Sequence, residues 1–406
     1  MPVKSRRLDW WRRRVVMLMA CTLAGTCPPF ASASPLSRAK TQEGYALAYD
    51  LRFQAAYEVL ADAEAADPED PAPPRAIAAV TWMEALFAQG VATFEAFGGE
   101  ISRTDVKRPV VSPAIADRFG QNITKAAMLA HRQSTRSDDA DAQYQVGATA
   151  ALLAVYGATV EGRTLGSLRH GRAAVSAMRR ARELDPQRRE TALVLGMSQY
   201  TMATMSWPVR VLARLSGLSG DRETALALLN EAATPGTETE SDALLLLMIV
   251  DSRERRHADA LPRLQRLQQR HPRNRLFWLN DGAAALLAGQ PERADVSLSR
   301  GIAAQAWTAG PTVLGEPALW FAHRGTARAR LDRGTEAERD LASGLASAPR
   351  DWVRGRIHAQ LGRIAVVAGD VERARREFVA ALEFSQRGGD RGTSKEAKDS
   401  LDATGK

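Results

Sequence analysis

Six histidines and two cysteines are the side chains of this sequence best suited to metal or nucleophilic chemistry. No two histidines have the His-Glu-x-x-His spacing that places both imidazoles on one face of a helix, and no acidic partner lies at a metal-ligand offset. We therefore expect no metal site and histidines that are isolated on the surface. They are His131, His170, His257, His271, His323 and His358.

Both cysteines, Cys21 and Cys27, lie in an N-terminal segment that has the pattern of a signal peptide. A basic stretch precedes an apolar run, Val15 to about Gly25, that is too short to span a bilayer. Ala31-Ser32-Ala33 then offers a small-residue cleavage site. The sequence predicts a signal peptide over residues 1–33, and an uncleaved N-terminal anchor is the alternative.

Removal of this segment would change the charge and the redox chemistry of the chain. Residues 1–33 contain six basic residues, one acidic residue and both cysteines, so the formal charge falls from +8 to +3 without them. The remaining chain has no cysteine and can form neither a disulfide nor a thiolate. We expect an exported protein that acts in the periplasm or outside the cell.

The common catalytic motifs are absent from the sequence. It contains no Gly-x-Ser-x-Gly nucleophile turn, no Gly-x-x-x-x-Gly-Lys-Ser/Thr phosphate loop and no Gly-x-Gly-x-x-Gly dinucleotide loop. The carboxylate pair Glu238 and Glu240 lies at a predicted helix start, where acidic residues are common. The sequence predicts a protein that is not an enzyme and that uses no cofactor.

Two arginine-rich stretches, 169–189 and 253–275, raise the question of nucleic-acid binding. Their arginines alternate with apolar positions and lack the aromatic side chains on which bases stack. We expect solvated outer faces and no nucleic-acid partner. The segment from Trp207 to Gly217 is amphipathic, which predicts a helix lying over the fold; contact with a membrane or a partner is the alternative.

Small and large residues recur with a period of 34 in the second half of the chain. Met248 and Gly282 are separated by this interval, and so are Leu264 and Leu298. Two antiparallel helices need small residues where they cross closely and large residues between neighbouring pairs. The period therefore predicts helix-turn-helix units, with Gly282 and Ala294 at a helix crossing.

Glycine and acidic residues mark the turns between the paired helices. The segments that begin at Gly220, Gly289 and Gly369 share the pattern Gly-x-x-Glu-x-Ala. Glycine ends the first helix in a left-handed conformation, and the next residue caps the second helix. The predicted caps are Asp221, Gln290 and Asp370.

Other helix ends carry their own signals. Gly334-Thr335-x-x-Glu338 predicts a capping box. Prolines are expected to follow the ends of several second helices, because proline cannot continue a helix. They are Pro68, Pro186, Pro272 and Pro349.

These patterns resemble the tetratricopeptide repeat (TPR) family, most closely over 241–272 and 275–304. The resemblance implies an all-α fold, a right-handed α-solenoid of antiparallel helix pairs. Two units depart from the family spacing, since about 15 residues are added after Gly147 and about 17 after Gly196. Lengthened helices or an extra short helix would account for both.

The predicted organisation of the chain has five parts. An N-terminal helix pair, about 41–67 and 74–96, is expected to precede a long loop. The parts are a signal peptide (1–33), N-terminal helical repeats with a loop near 98–115 (34–134), expanded units (135–235), regular repeats (236–386) and a disordered tail (387–406).

In the TPR family, the first helix of each pair lines a concave groove that is the usual ligand surface. Mapping those family positions onto this sequence implies a groove that is mostly apolar with a few arginines. The Lys, Asn and Arg set with which some members hold a terminal carboxylate is absent. The implied groove residues are Tyr144, Leu193, Met197, Tyr200, Leu245, Ile249, Arg253, Leu279, Ala283, Leu287, Ala322, Arg330 and Arg363.

Three functional hypotheses follow. The leading one is a scaffold or adaptor outside the cytoplasm that holds a protein or peptide with apolar anchors and acidic character in an envelope assembly. The second is a solute- or polymer-binding accessory protein of transport or cell-envelope maintenance, favoured by a closed cavity lined by Trp and Tyr. The third is an enzyme with a site assembled from distant repeats.

Overall fold

The computed structural model describes residues 34–90, 93, 110–205, 220–304 and 312–404. The predicted signal peptide and the segment from Trp207 to Gly217 lie outside the described residues, as does most of the predicted loop near 98–115.

The described residues form seventeen α-helices and contain no β-strand. The helices are α1 (Pro35–Tyr49), α2 (Phe53–Ala66), α3 (Ala72–Ala88), α4 (Pro113–Arg136), α5 (Ala140–Thr159), α6 (Thr164–Leu184), α7 (Thr191–Thr204), α8 (Arg222–Ala232), α9 (Glu240–Arg253), α10 (His257–Arg270), α11 (Arg275–Leu287), α12 (Pro291–Ala303), α13 (Glu316–Arg330), α14 (Gly334–Ala346), α15 (Asp351–Val367), α16 (Val371–Arg387) and α17 (Arg391–Thr404).

Successive helices pack in pairs, an odd-numbered helix with the even-numbered helix that follows it. This packing is seen for α1–α2, α5–α6, α7–α8, α11–α12, α13–α14 and α15–α16. Ion pairs join the two remaining pairs, Arg118 of α4 to Glu84 of α3 (3.2 Å) and Arg263 of α10 to Asp251 of α9 (2.6 Å). These pairs confirm the predicted all-α architecture.

In six of the eight described pairs, close crossing depends on a glycine in the first helix. A Cβ atom built at Gly282 would lie 2.5 Å from Cγ of Leu298 in the second helix, a distance that no real Cβ tolerates. The predicted crossing residue Ala294 is fully buried. The same relation joins Gly44 to Leu60, Gly325 to Leu341 and Gly362 to Phe378, each sixteen residues apart.

The two expanded units keep this crossing and lengthen the chain around it. Gly147 faces Met178, and Gly196 faces Leu229. In the first of these units the extra residues lengthen both helices, α5 to 20 residues and α6 to 21. In the second, they lie largely in 206–219, outside the described residues.

The predicted turn chemistry is confirmed at some positions and wrong at others. Gly369 has φ of 75° at the end of α15, and the side chain of Asp370 accepts from the Arg373 N–H to cap α16. Gly289 has φ of 72°, but Gln290 makes no side-chain cap, because Pro291 at the first helical position already dispenses with one amide donor.

Asp221 caps α8 as predicted, through the Thr224 N–H. The capping box predicted at Gly334 does not form. α14 begins at Gly334 itself, and Glu338 is drawn instead into an ion pair with Arg373 of α16 (2.6 Å). The prolines behave as predicted, since α2, α6, α10 and α14 each end two or three residues before one.

The C-terminal tail is helical, so the predicted disorder is wrong. Ala397 in α17 is fully buried against Ala359 and Ala381, and Leu401 packs near Phe378. Residues 397 and 401 are one helical turn apart and share a face. In the sequence, charged residues lie on both sides of these two positions, so the short apolar stripe is not evident from the pattern.

The N-terminal pair is also corrected: three helices, α1 to α3, occupy residues 35–88. Among the described helices, none combines the length and the apolar character needed to cross a membrane. The chain divides into two compact units, unit 1 (Met1–Leu86 and Val111–Val250) and unit 2 (Phe87–Val110 and Asp251–Lys406).

Candidate functional site

In unit 1, α1 contacts α9, although three other first helices (α3, α5 and α7) lie between them in the chain. The Tyr49 hydroxyl of α1 donates to the carboxylate of Asp242 in α9, and the Gln42 amide donates to Glu238 just before α9 (3.1 Å). These contacts bring residues almost 200 positions apart in the chain together. The first helices of unit 1 therefore face one another rather than an open groove.

This arrangement corrects the groove expected in unit 1, because five of its residues form part of the core. Their exposure is 0 to 7%, which leaves no surface for a partner. Packing of first helices from different pairs covers the face that the family leaves open. The five residues are Tyr144, Leu193, Met197, Tyr200 and Ile249.

The interior of unit 1 contains a polar cluster around Tyr144. Arg75 is fully buried and donates to Gln145 (3.1 Å), while Arg188 pairs with Asp141 (2.9 Å) and lies 4.4 Å from the centre of the Tyr144 ring. Burial raises the pKa of Tyr144 far above its ordinary value, and the charge of Arg75 opposes this only in part. The phenol stays neutral, so it provides no base at physiological pH.

Unit 2 contains a groove of about 390 Å³. The first helices α11, α13 and α15 line it, together with the end of α9 and the starts of α10 and α17. Five of the residues implied by the family resemblance lie on its wall: Ala283, Leu287, Ala322, Arg330 and Arg363.

Three further implied residues do not line this groove. Leu279 is 1% exposed and packs in the core, while Leu245 and Arg253 are half-buried elsewhere. The family positions thus converge on one surface only in α11, α13 and α15.

The floor of the groove is apolar. Leu286, Leu319, Val353 and Ile357 are buried there, and Leu287 remains 46% exposed. An exposed leucine beside a buried apolar floor is suited to an apolar side chain of a partner.

Arginines form the rim. Arg330 donates to the carbonyl of Leu286 (2.6 Å) rather than to a carboxylate. Burial lowers its pKa, and the charge of nearby Arg363 lowers it further. Arg255, in the turn between α9 and α10, is exposed and also lines the groove. Two neighbouring guanidinium groups at Arg330 and Arg363 give this wall a positive potential.

The acidic residues of the groove are already paired. Asp390 is 1% exposed and accepts from Arg356 (2.6 Å), and Glu396 of α17 pairs with Arg363. These pairs leave Arg330 and Arg255 as the cations that a ligand can reach.

Two buried donors on the wall have no hydrogen-bond partner among the described residues. They are the indole N–H of Trp352, whose side chain is 3% exposed, and the hydroxyl of Ser252, at 2%. An unpaired buried donor costs about 1–3 kcal/mol, and both of these atoms lie beneath the surface of the wall, where a ligand does not reach them. What the groove offers to a ligand rich in acceptors is therefore the positive charge of its rim.

Sequence reasoning missed Ser252, Trp352, Arg356 and Glu396. Arg356 and Arg363 are seven residues apart, which places them on one helix face, so this spacing was a usable signal. No sequence signal pointed to Glu396, because its position in the groove depends on how α17 packs against the preceding helices.

The histidine prediction is partly wrong. His271 and His323 are buried, at 6% and 9% exposure, and His358 contacts Glu377 (2.7 Å). His271 lies next to Phe277, so its ring serves as packing. In the described part of the chain, no group of three His, Cys, Asp or Glu side chains has metal-binding geometry.

Comparison with known proteins gives similarity in structure alone. No protein-family model and no curated protein sequence matches this chain. Solved structures similar to it include yeast Tom70, with 15% identity over 91% of this chain and 80% of that chain and a TM-score of 0.36. A tetratricopeptide repeat protein from Parabacteroides merdae has 11% identity, 80% and 99% coverage and a TM-score of 0.29.

The human IFIT1 dimer with m7Gppp-AAAA has 14% identity, covering 99% of this chain and 86% of that chain, with a TM-score of 0.40. Structural similarity at this level does not identify a ligand for this chain. The deciding observation is in the chain itself, where a glycine of the first helix faces a large residue of the second helix in six of the eight described pairs. The fold is a TPR-like α-solenoid.

Proposed function

We propose that this chain is a non-enzymatic scaffold that holds an acidic segment of a protein partner in the groove of unit 2. The observation that carries the proposal is the combination, in one groove, of an apolar floor and an arginine rim. A peptide with apolar anchors and carboxylates would suit both at once.

A protein segment suits the groove better than a nucleic acid does. Bases need exposed aromatic faces for stacking. Trp352 is the one Phe, Tyr or Trp residue on the described groove wall; it is only 3% exposed, and the guanidinium of Arg356 lies 5.0 Å from its ring centre. Leu287 and the apolar floor instead favour aliphatic anchors.

The same lining supports the solute- or polymer-binding alternative less. That alternative requires a closed cavity with several Trp and Tyr side chains, which stack on sugar-like ligands. The groove offers one buried tryptophan and arginines in their place. The tyrosines expected in a groove, Tyr144 and Tyr200, are core residues of unit 1.

Export is part of the proposal. The pattern of residues 1–33 supports action in the periplasm or outside the cell. The partner would then belong to an assembly of the cell envelope.

Selection from a library of random 12-residue peptides tests the binding proposal. We expect selected peptides to combine Leu or Ile with Asp or Glu, and to bind Leu287→Glu at least tenfold more weakly, because the new carboxylate repels theirs and removes an apolar contact. Val296→Glu is the matched control: Val296 is 56% exposed on α12, outside the groove, and its replacement should leave affinity unchanged.

Binding that is equal in Leu287→Glu and wild type would exclude the groove as the site. Selection of no peptide, together with tight binding of single-stranded RNA, would overturn the protein-partner proposal.

A further inference from the structure

The backbone nitrogen of Ser34 donates a hydrogen bond to the carboxylate of Asp67, with 2.8 Å between N and Oδ2. Asp67 directly follows α2, so this bond ties the start of α1 to the end of its partner helix. The Ser34 hydroxyl accepts from the Ser37 N–H (3.0 Å) and caps α1. Ser34 is therefore held at both its nitrogen and its hydroxyl.

A second aspartate of the same turn faces the same helix end. Asp70 accepts from the Ser37 hydroxyl (3.1 Å) and from the Ala72 N–H (2.8 Å), and it is 5% exposed. In the uncleaved chain, the Ser34 nitrogen that donates to Asp67 is a neutral amide. Two carboxylates thus gather at a point where the sequence predicts that a peptide bond is cut.

We infer that Asp67 is the receptor for the amino terminus that export creates, and that the cut bond joins Ala33 to Ser34. This inference rests on the proposed export. An envelope peptidase would direct water onto the Ala33 carbonyl carbon, and the C–N bond breaks. Ala33 leaves as a carboxylate on the released peptide, and the Ser34 nitrogen takes up the protons to become an ammonium group.

Cleavage at this bond converts the contact into an ion pair. A hydrogen bond between an ammonium group and a carboxylate is stronger than one from a neutral amide. The new positive charge lies at the positive end of the α1 dipole, which is unfavourable by itself, and Asp67 and Asp70 offset it. Cleavage therefore strengthens the contact between the start of α1 and the end of α2.

The geometry selects one bond. A cut one residue earlier would leave the Ser34 nitrogen as a neutral amide and would place the ammonium group on the preceding residue, about 3.8 Å further along the chain. A cut one residue later would remove the Ser34 hydroxyl that caps α1, and would place the new terminus on the ring nitrogen of Pro35.

The first experiment identifies the terminus. The full chain with a C-terminal tag is expressed in a Gram-negative host, recovered from the envelope and analysed by intact mass and N-terminal sequencing. We expect Ser34 as the first residue. A cytoplasmic chain that begins at Met1 would overturn the proposed export, whereas export with a different first residue would overturn only the inference about this bond.

The second experiment tests the receptor and needs no export. All described helices lie within residues 34–404, so chains 34–406 and 33–406 are compared by thermal unfolding. We expect the chain that begins at Ser34 to unfold about 2 °C higher. Asp67→Asn should abolish this difference.

Asp62→Asn is the matched control, because Asp62 also lies at the end of α2 but pairs with Lys40 (2.8 Å). It should lower both chains equally and preserve the difference between them. A difference that persists in Asp67→Asn would overturn the assignment of Asp67 as the receptor, wherever the cut occurs.

Discussion

Arg275 and Glu316 form a buried ion pair that joins α11 to α13, with Nε–Oε1 at 2.6 Å and Nη2–Oε2 at 3.0 Å. Glu316 is fully buried and also accepts from the Val313 N–H and the Trp320 indole. It therefore serves as the polar junction between two neighbouring pairs of unit 2.

Replacing Glu316 with Gln should destabilise the chain by about 3 kcal/mol, because it removes the charge of one partner from a buried ion pair. Urea unfolding measures the effect. Asp62→Asn, which breaks the exposed pair with Lys40, is expected to cost less than about 1 kcal/mol. Equal losses in the two variants would contradict the role given to this pair.

Gly282→Ala should destabilise the chain by about 1–3 kcal/mol, since its Cβ would enter the space of Leu298. Gly334→Ala is the control at the start of α14, where a Cβ meets no atom within 4 Å. That substitution should be neutral or stabilising, because alanine favours a helix. If Gly282→Ala unfolds at the same urea concentration as Gly334→Ala, the crossing is looser than described.

Glu396→Gln should strengthen binding of a selected acidic peptide several-fold, because the carboxylate of Glu396 competes for Arg363. Glu383→Gln removes an exposed carboxylate on α16 that pairs with Arg387, outside the groove, and should leave affinity unchanged. The comparison is made by fluorescence anisotropy with a labelled peptide. Weaker binding in Glu396→Gln would show that Glu396 assists the ligand instead.

Acid should weaken unit 2 through Asp295. Burial alone would raise the pKa of Asp295, but hydrogen bonds from Arg333 and Arg328 prevail and hold it below its usual range. A depressed folded-state pKa stabilises the fold above the unfolded value of about 3.9, and this stability is lost as pH falls through the folded value.

The test compares urea midpoints of wild type and Asp295→Asn between pH 7 and pH 2.5. The variant should be less stable at pH 7, and the gap should close in the acid range. A gap that stays constant down to pH 2.5 would show that the ionised form of Asp295 contributes nothing.

The local features of the fold were readable from the sequence because they depend on neighbours in the chain. The sixteen-residue interval from Gly282 to Leu298 is set by two helices and a short turn, so the crossing follows from spacing alone. The cap at Asp370 likewise needs only the next helical turn. The capping box at Glu338 failed because Arg373 of the next helix pair competed for its side chain.

The site was only partly predictable, since it depends on contacts between distant segments. Leu287 and Arg330 lie in regular pairs, where the family register places them on a groove wall. Tyr144 occupies an equivalent register position but is buried, because residues of α3 and the turn before α7 fold over it. No local pattern distinguishes these two outcomes.

The bond from Tyr49 to Asp242 has a consequence for folding as well as for binding, because it spans 193 residues. Solenoids usually fold by local propagation from any repeat to the next. A unit whose first and last helices touch has high contact order and must complete a long loop closure before its core is whole. Unit 1 should therefore fold slowly and cooperatively, and loss of α1 should weaken the packing of α9.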